Sequence, residues 1–257
     1  MRQIPVIFSI LFLLGGAMVW LYWDEISQLR SEANESASDI APTPNPEAYA
    51  VLVGEIDYHR EKLARQYRKA RTDPEREAVL HSCRNFLEIT MPELMMCWLG
   101  TPWDYNGTAS TPGDGKVACG YFVSTVMRDA GFKVQRIKLA QQPSQNILRT
   151  FLPRDQLQII VGADYHQFMQ SIREGEPGIY IIGLDRHVGF LVNNAKGLKF
   201  IHSGGELHRV VAESELKATS IKDSNYRVIG NLTHNKDLIK RWLLRTRFPT
   251  RSQTAPD

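Results

Sequence analysis

Past residue 177 the chain stops reading as helix, and that change constrains its fold more than any other feature. Five short apolar segments follow: 178–182 (GIYII), 188–192 (VGFLV), 198–202 (LKFIH), 208–212 and 226–229. Asn193-Asn194-Ala195-Lys196-Gly197 marks a hairpin between the second and third. Helical patterns precede them. Residues 119–130 carry Phe122, Val123, Val126, Met127 and Ala130 on one face and stop at Gly131, and shorter helices are predicted at 144–152 and 164–174. Helices first and sequential strands afterwards indicate an α+β fold with an antiparallel sheet.

The flanks differ from this centre. Residues 4–23 contain no charge and are long enough to cross a bilayer as a helix, with Trp20, Tyr22 and Trp23 at the far end. We read residues 1–23 as a transmembrane signal-anchor. A cleaved signal peptide is the rival, but cutting near Gly15-Gly16-Ala17 would leave an apolar terminus. Arg2 before the span, with Asp24 and Glu25 after it, puts the rest of the chain on the periplasmic or extracytoplasmic side of the inner membrane. Residues 24–48, rich in Ser, Ala, Asn and Pro, read as a flexible linker. Residues 49–91 form a charged helical region, 92–230 the mixed α/β domain, and 231–257 a basic amphipathic tail. Leu238, Ile239, Trp242 and Leu243 suit docking of that tail onto the domain better than entry into a membrane.

Composition mainly excludes. With 31 Lys+Arg against 28 Asp+Glu, the net charge of +3 gives no case for nucleic acid. Three cysteines are too few for a disulfide-framework miniprotein or a four-cysteine zinc ribbon. Cys83 and Cys97 lie in apolar helical surroundings and read as small buried hydrophobes, a Cys83–Cys97 disulfide being the alternative. Cys119 differs: it ends a glycine-rich loop and opens an amphipathic helix, where unpaired N–H groups and the helix dipole favour a thiolate. A third buried core cysteine is the plainer reading of that position.

His187 and His202 sit at matching ends of the predicted hairpin. A four-residue connection sets them directly opposite each other, whereas a five-residue one sets His187 against Ser203. Two imidazoles on adjoining strands, with a helix-opening cysteine available, suggest nucleophile, base and orienting group. Asp185, two residues from His187, is the alternative orienting residue. Zinc held by Cys119, His187 and His202 is the weaker chemistry, because no CxxC or HxxxH pair accompanies them. We expect no metal and no cofactor.

These residues resemble the NlpC-type cell-wall cysteine peptidases. The likeness rests on Gly100-Thr101-Pro102-Trp103, Cys119-Gly120-Tyr121-Phe122-Val123, His187-Val188-Gly189-Phe190-Leu191 and Ile201-His202-Ser203, and covers roughly residues 99–229. It implies a papain-like fold and hydrolysis of amide bonds in peptidoglycan stem peptides. Cys119 would be the nucleophile, His187 the base and His202 the third polar residue. Trp103 stands where the family usually has an oxyanion-site Tyr, and Tyr105 is the substitute. The sequence departs from the family's Asp-Cys-Ser-Gly, reading Ala118-Cys119-Gly120-Tyr121. A catalytically inactive, membrane-tethered binding module of the same fold is the second functional reading.

Overall fold

The computed structural model describes residues 42–251. The expected anchor and most of the expected linker lie outside them, as does the end of the tail. Among the described residues no helix is long and apolar enough to cross a membrane.

Two long helices come first. α1 (Pro46–Lys69) starts on Asn45, whose side chain accepts the Ala48 N–H at 2.9 Å. Pro46 fits the first turn because its missing N–H would have no intrahelical partner there. The expected linker therefore gives way to helix at Pro46. α2 (Asp73–Met96) opens with a capping box: Thr72 accepts the Glu75 N–H and the Glu75 carboxylate accepts the Thr72 N–H. This helix runs past the expected boundary at residue 92 and carries Pro92 inside it. Leu87, Met91, Leu94 and Met95 are all fully buried, and that apolar face holds the helix through the proline.

Next come α3 (Cys119–Asp129), α4 (Arg136–Ala140), α5 (Ser144–Phe151), β1 (Gln158–Val161), α6 (Tyr165–Glu174), β2 (Gly178–Leu184), β3 (Val188–Asn194), β4 (Gly197–Gly204) and β5 (Arg209–Ser214). A short α7 (Thr219–Lys222), β6 (Tyr226–Asn231) and α8 (Lys236–Leu243) complete the fold. The six strands form one sheet, in the order β1-β6-β2-β3-β4-β5, and every pairing is antiparallel. The α+β class with an antiparallel sheet is thus the architecture of the described chain. β1, short and mostly exposed at one edge, is the strand the sequence reading missed, although Ile159, Ile160 and Val161 are β-branched and apolar.

Both faces of the sheet are covered. One carries Ile181, Phe190, Ile201 and Val210 against Phe122, Val126 and Met127 of α3, with α1, α2 and α8 in the same core. The other carries Ile182, Leu191 and Phe200 against Phe168, Met169 and Ile172 of α6. Two-sided burial explains why β2 reads as an unbroken apolar run rather than an alternating one. A Cβ on Gly120 would stand 2.3 Å from the Ala140 carbonyl, so α4 presses directly on the first turn of α3. All three cysteines are free. Cys83 and Cys97 belong to one helix and its cap, about 20 Å apart along the axis, so a bridge between them is excluded.

Candidate active site

Cys119 is the first residue of α3, as the loop-to-helix pattern implied. Ser203 of β4 donates to the Val117 carbonyl at 2.6 Å and so ties the approach to Cys119 to the sheet. Arg136 fastens the same loop from the other side: it donates to Thr125 Oγ1 at 2.6 Å and to the Thr108 and Ala109 carbonyls. The backbone N–H groups of Val188, Gly120 and Cys119 itself favour a negative sulfur. Burial opposes them and prevails, so the thiol is pushed above its ordinary value. This reverses the lowered value that the helix start alone implied.

The hairpin register also differs from both expectations. β3 and β4 pair Phe190 with Ile201 and Asn194 with Gly197, leaving only Ala195 and Lys196 in the turn. Continued outward, the ladder sets Gly204 opposite His187 and Gly189 opposite His202. A shift of two residues preserves the face, so the imidazoles remain diagonal neighbours on one side. Their rings meet edge to face, with His187 Nε2 and His202 Nδ1 2.8 Å apart. Gly204 is required here: its φ is +138°, and a Cβ would lie 3.1 Å from His187 Cε1.

The row continues to a residue the sequence reading missed. Glu213 Oε2 lies 3.1 Å from His202 Nε2. β5 was expected to end at residue 212; it runs to Ser214, pairing His202 with Val211 and Phe200 with Glu213. One more residue of strand places Glu213 diagonal to His202, and the period-2 rule then finds it.

This carboxylate dictates proton positions. An ionised Glu213 only accepts, so His202 Nε2 carries hydrogen. With His202 neutral, its Nδ1 accepts from His187 Nε2–H, which leaves His187 Nδ1 as the free base. His187 itself is held below 6.5, to about 3, first by burial and second by the charge His202 would carry. The resting pair is therefore neutral thiol and neutral imidazole. Glu213→Gln should lower kcat about 10- to 100-fold with little change in KM, because the amide can donate to His202 and reverse the row. Steady-state kinetics check this, and Glu213→Asp should recover part of the loss.

The other expected residues divide. Trp103 is at the site: its Nε1 is 3.6 Å from where a Gly204 Cβ would be, and its ring abuts His208 at 5.6 Å. Tyr105 is 81% exposed and forms no part of a buried donor set. Asp185 faces elsewhere, accepting from Ser224 Oγ at 3.0 Å and from Asn225 N–H at 2.8 Å. Leu184 N–H meets the His187 carbonyl at 2.8 Å, so Asp185 and Arg186 form a tight turn rather than extended strand. The same-face argument for Asp185 fails there. Among the described residues no group of three His, Cys, Asp or Glu side chains is disposed to hold a metal ion.

The chain matches no family model and no curated protein sequence.

Proposed function

We propose that this protein is a cysteine hydrolase of amide bonds, built on a papain-like arrangement and acting on peptidoglycan stem peptides. The observation that carries the reading is the hydrogen-bonded row Glu213–His202–His187, joined to the helix-opening Cys119 by the next residue, Val188, whose backbone N–H meets the sulfur. In a chain with an extracytoplasmic anchor, the cell wall is the nearest amide-rich polymer. Membrane attachment through residues 4–23 belongs to this proposal.

The chemistry follows from the neutral resting pair. As Cys119 Sγ bonds to the scissile carbonyl carbon, its proton passes to His187 Nδ1. The developing oxyanion meets the Cys119 backbone N–H at the start of α3, with the Trp103 indole N–H as second donor. Collapse breaks the C–N bond, and His187 returns the proton to the leaving amine. Water then attacks the thioester, giving its proton to His187, and the acid departs as the thiol re-forms. His202 and Glu213 hold the tautomer that this cycle needs.

One observation favours the second reading, a binding module without turnover. Cys119 and His187 form no hydrogen bond among the described residues, and the thiol is raised rather than lowered. Mass spectrometry of purified peptidoglycan after incubation with the full-length chain separates the two. The hydrolase reading expects new termini at one stem-peptide amide, absent with Cys119→Ala. Unchanged fragments with retained binding to the polymer would establish the module instead.

A further inference from the structure

The turn between β4 and β5 holds a side chain that its backbone does not favour. Among the described residues two that are not glycine have φ in the left-handed region, Arg245 at +56° and His208 at +47°. Arg245 follows from its place just past α8. Its N–H donates to the Trp242 carbonyl and the Thr246 N–H to the Arg241 carbonyl, which closes the helix end. His208 has no helix to close. It is the last residue of the turn, 205–208, that joins the paired Gly204 and Arg209. Glycine adopts that conformation at no steric cost, whereas histidine is strained in it. Strain of this kind persists where the surroundings hold it, and it gathers at functional sites.

The surroundings of His208 lead to the candidate site. Its Nδ1–H donates to the Glu206 carbonyl at 3.0 Å, and its ring meets the Trp103 indole edge to face, with centroids 5.6 Å apart. The Trp103 N–H donates to the His208 carbonyl at 2.8 Å, and Pro102 bridges Arg209, so the two segments are stitched side by side. The turn itself lies on the imidazoles. A Cβ on Gly204 would stand 3.1 Å from His187 Cε1 and 3.6 Å from Trp103 Nε1, and one on Gly205 would stand 3.1 Å from His202 Cε1. Trp103 and His187 therefore pack over the same glycine, with His208 against the indole.

We infer that His208 is a positioning residue: its ring, held at a strained turn position, keeps the Trp103 indole N–H over Gly204 and beside His187. Edge-to-face aromatic pairs add attraction beyond the area they bury. What Trp103 does in turnover rests on the hydrolase reading; what holds Trp103 in place does not.

Two substitutions in the full-length chain separate the ring from the backbone. His208→Asn suits the left-handed conformation but removes the ring, and His208→Phe keeps a ring at greater strain. His208→Asn should lower kcat on a synthetic stem peptide about 10-fold, with KM within about twofold, while melting within about 2 °C of wild type. His208→Phe should melt about 2–5 °C lower yet recover most of kcat. A merely structural role gives the reverse order, with activity following stability. That order, or an unchanged kcat in His208→Asn, would overturn the assignment. Should His208→Phe not fold, the kcat of the stable Asn variant carries the test.

A second readout needs no turnover. The nuclear Overhauser contact between the Trp103 indole N–H and the Gly204 α-protons, recorded on isotope-labelled chain in detergent micelles, should be present in wild type and His208→Phe and lost in His208→Asn. If wild type cleaves no stem peptide, the hydrolase reading fails and this contact decides for His208. Loss in the Asn variant sustains the positioning role; a contact that survives there overturns it.

Discussion

Cys119→Ser should abolish hydrolysis, by at least about a thousandfold, while melting at the wild-type temperature. The swap keeps size and exposure at the first residue of α3, so nothing in the packing objects. What changes is the proton. A serine hydroxyl is a far weaker acid than a thiol, and the proposed base, His187, is an imidazole already held well below its ordinary range. Transfer from the hydroxyl to His187 thus becomes the bottleneck. The pH dependence of the parent follows from the same two shifts. His187 stays neutral above about 3, so kcat/KM should show no limb near 6.5 from this group. Because the thiol is raised, iodoacetamide should label Cys119 of the free enzyme progressively faster as pH passes 9. A labelling plateau below 8.5 would mean a preformed thiolate and would sink the neutral-pair mechanism; turnover by the serine variant would sink the nucleophile.

The largest structural effect is expected at Trp242. Trp242→Ala should cost about 3–5 kcal/mol, equivalent to a fall of roughly 10–15 °C in Tm for a domain of this size. The indole is fully buried and lies beside Phe86 of α2. Its Nε1–H donates to the Ala130 carbonyl at 2.7 Å, just past the end of α3. Truncation leaves a cavity among α1, α2 and α8 and strands that carbonyl without a partner. Trp242→Phe should recover most of the packing but not the hydrogen bond. Thermal denaturation followed by circular dichroism gives both values. A loss below about 1 kcal/mol for the alanine variant would mean α8 is peripheral to the fold.

Trp242 also shows what the sequence could convey. Leu238, Ile239, Trp242 and Leu243 announced an apolar stripe, and all four are buried in the domain. The stripe was legible because helical spacing is local. Five of the strands were legible for the same reason. Register was not, since one residue more or less in a turn changes every cross-strand partner, and the His187–His202 contact survived only because the error was even. Glu213 was missed because it lies one residue beyond the apolar signal of its strand, which runs on to Ser214. The direction of the Cys119 shift was illegible too. A helix start can be read from sequence, but the walls that dehydrate a thiol come from strands some seventy residues further on.

The contact between Gly120 and Ala140 carries a consequence for sequence drift. Position 120 adjoins the proposed nucleophile and is where the resembled family places serine, yet here even a methyl group would collide with a backbone carbonyl. The two segments are therefore tied in descent. A side chain can enter at 120 only after residues 136–140 have moved aside, and while that short helix stays, the glycine is locked in. The unusual neighbour of Cys119 then reflects a helix laid against it, and it says nothing against the chemistry of the sulfur next door.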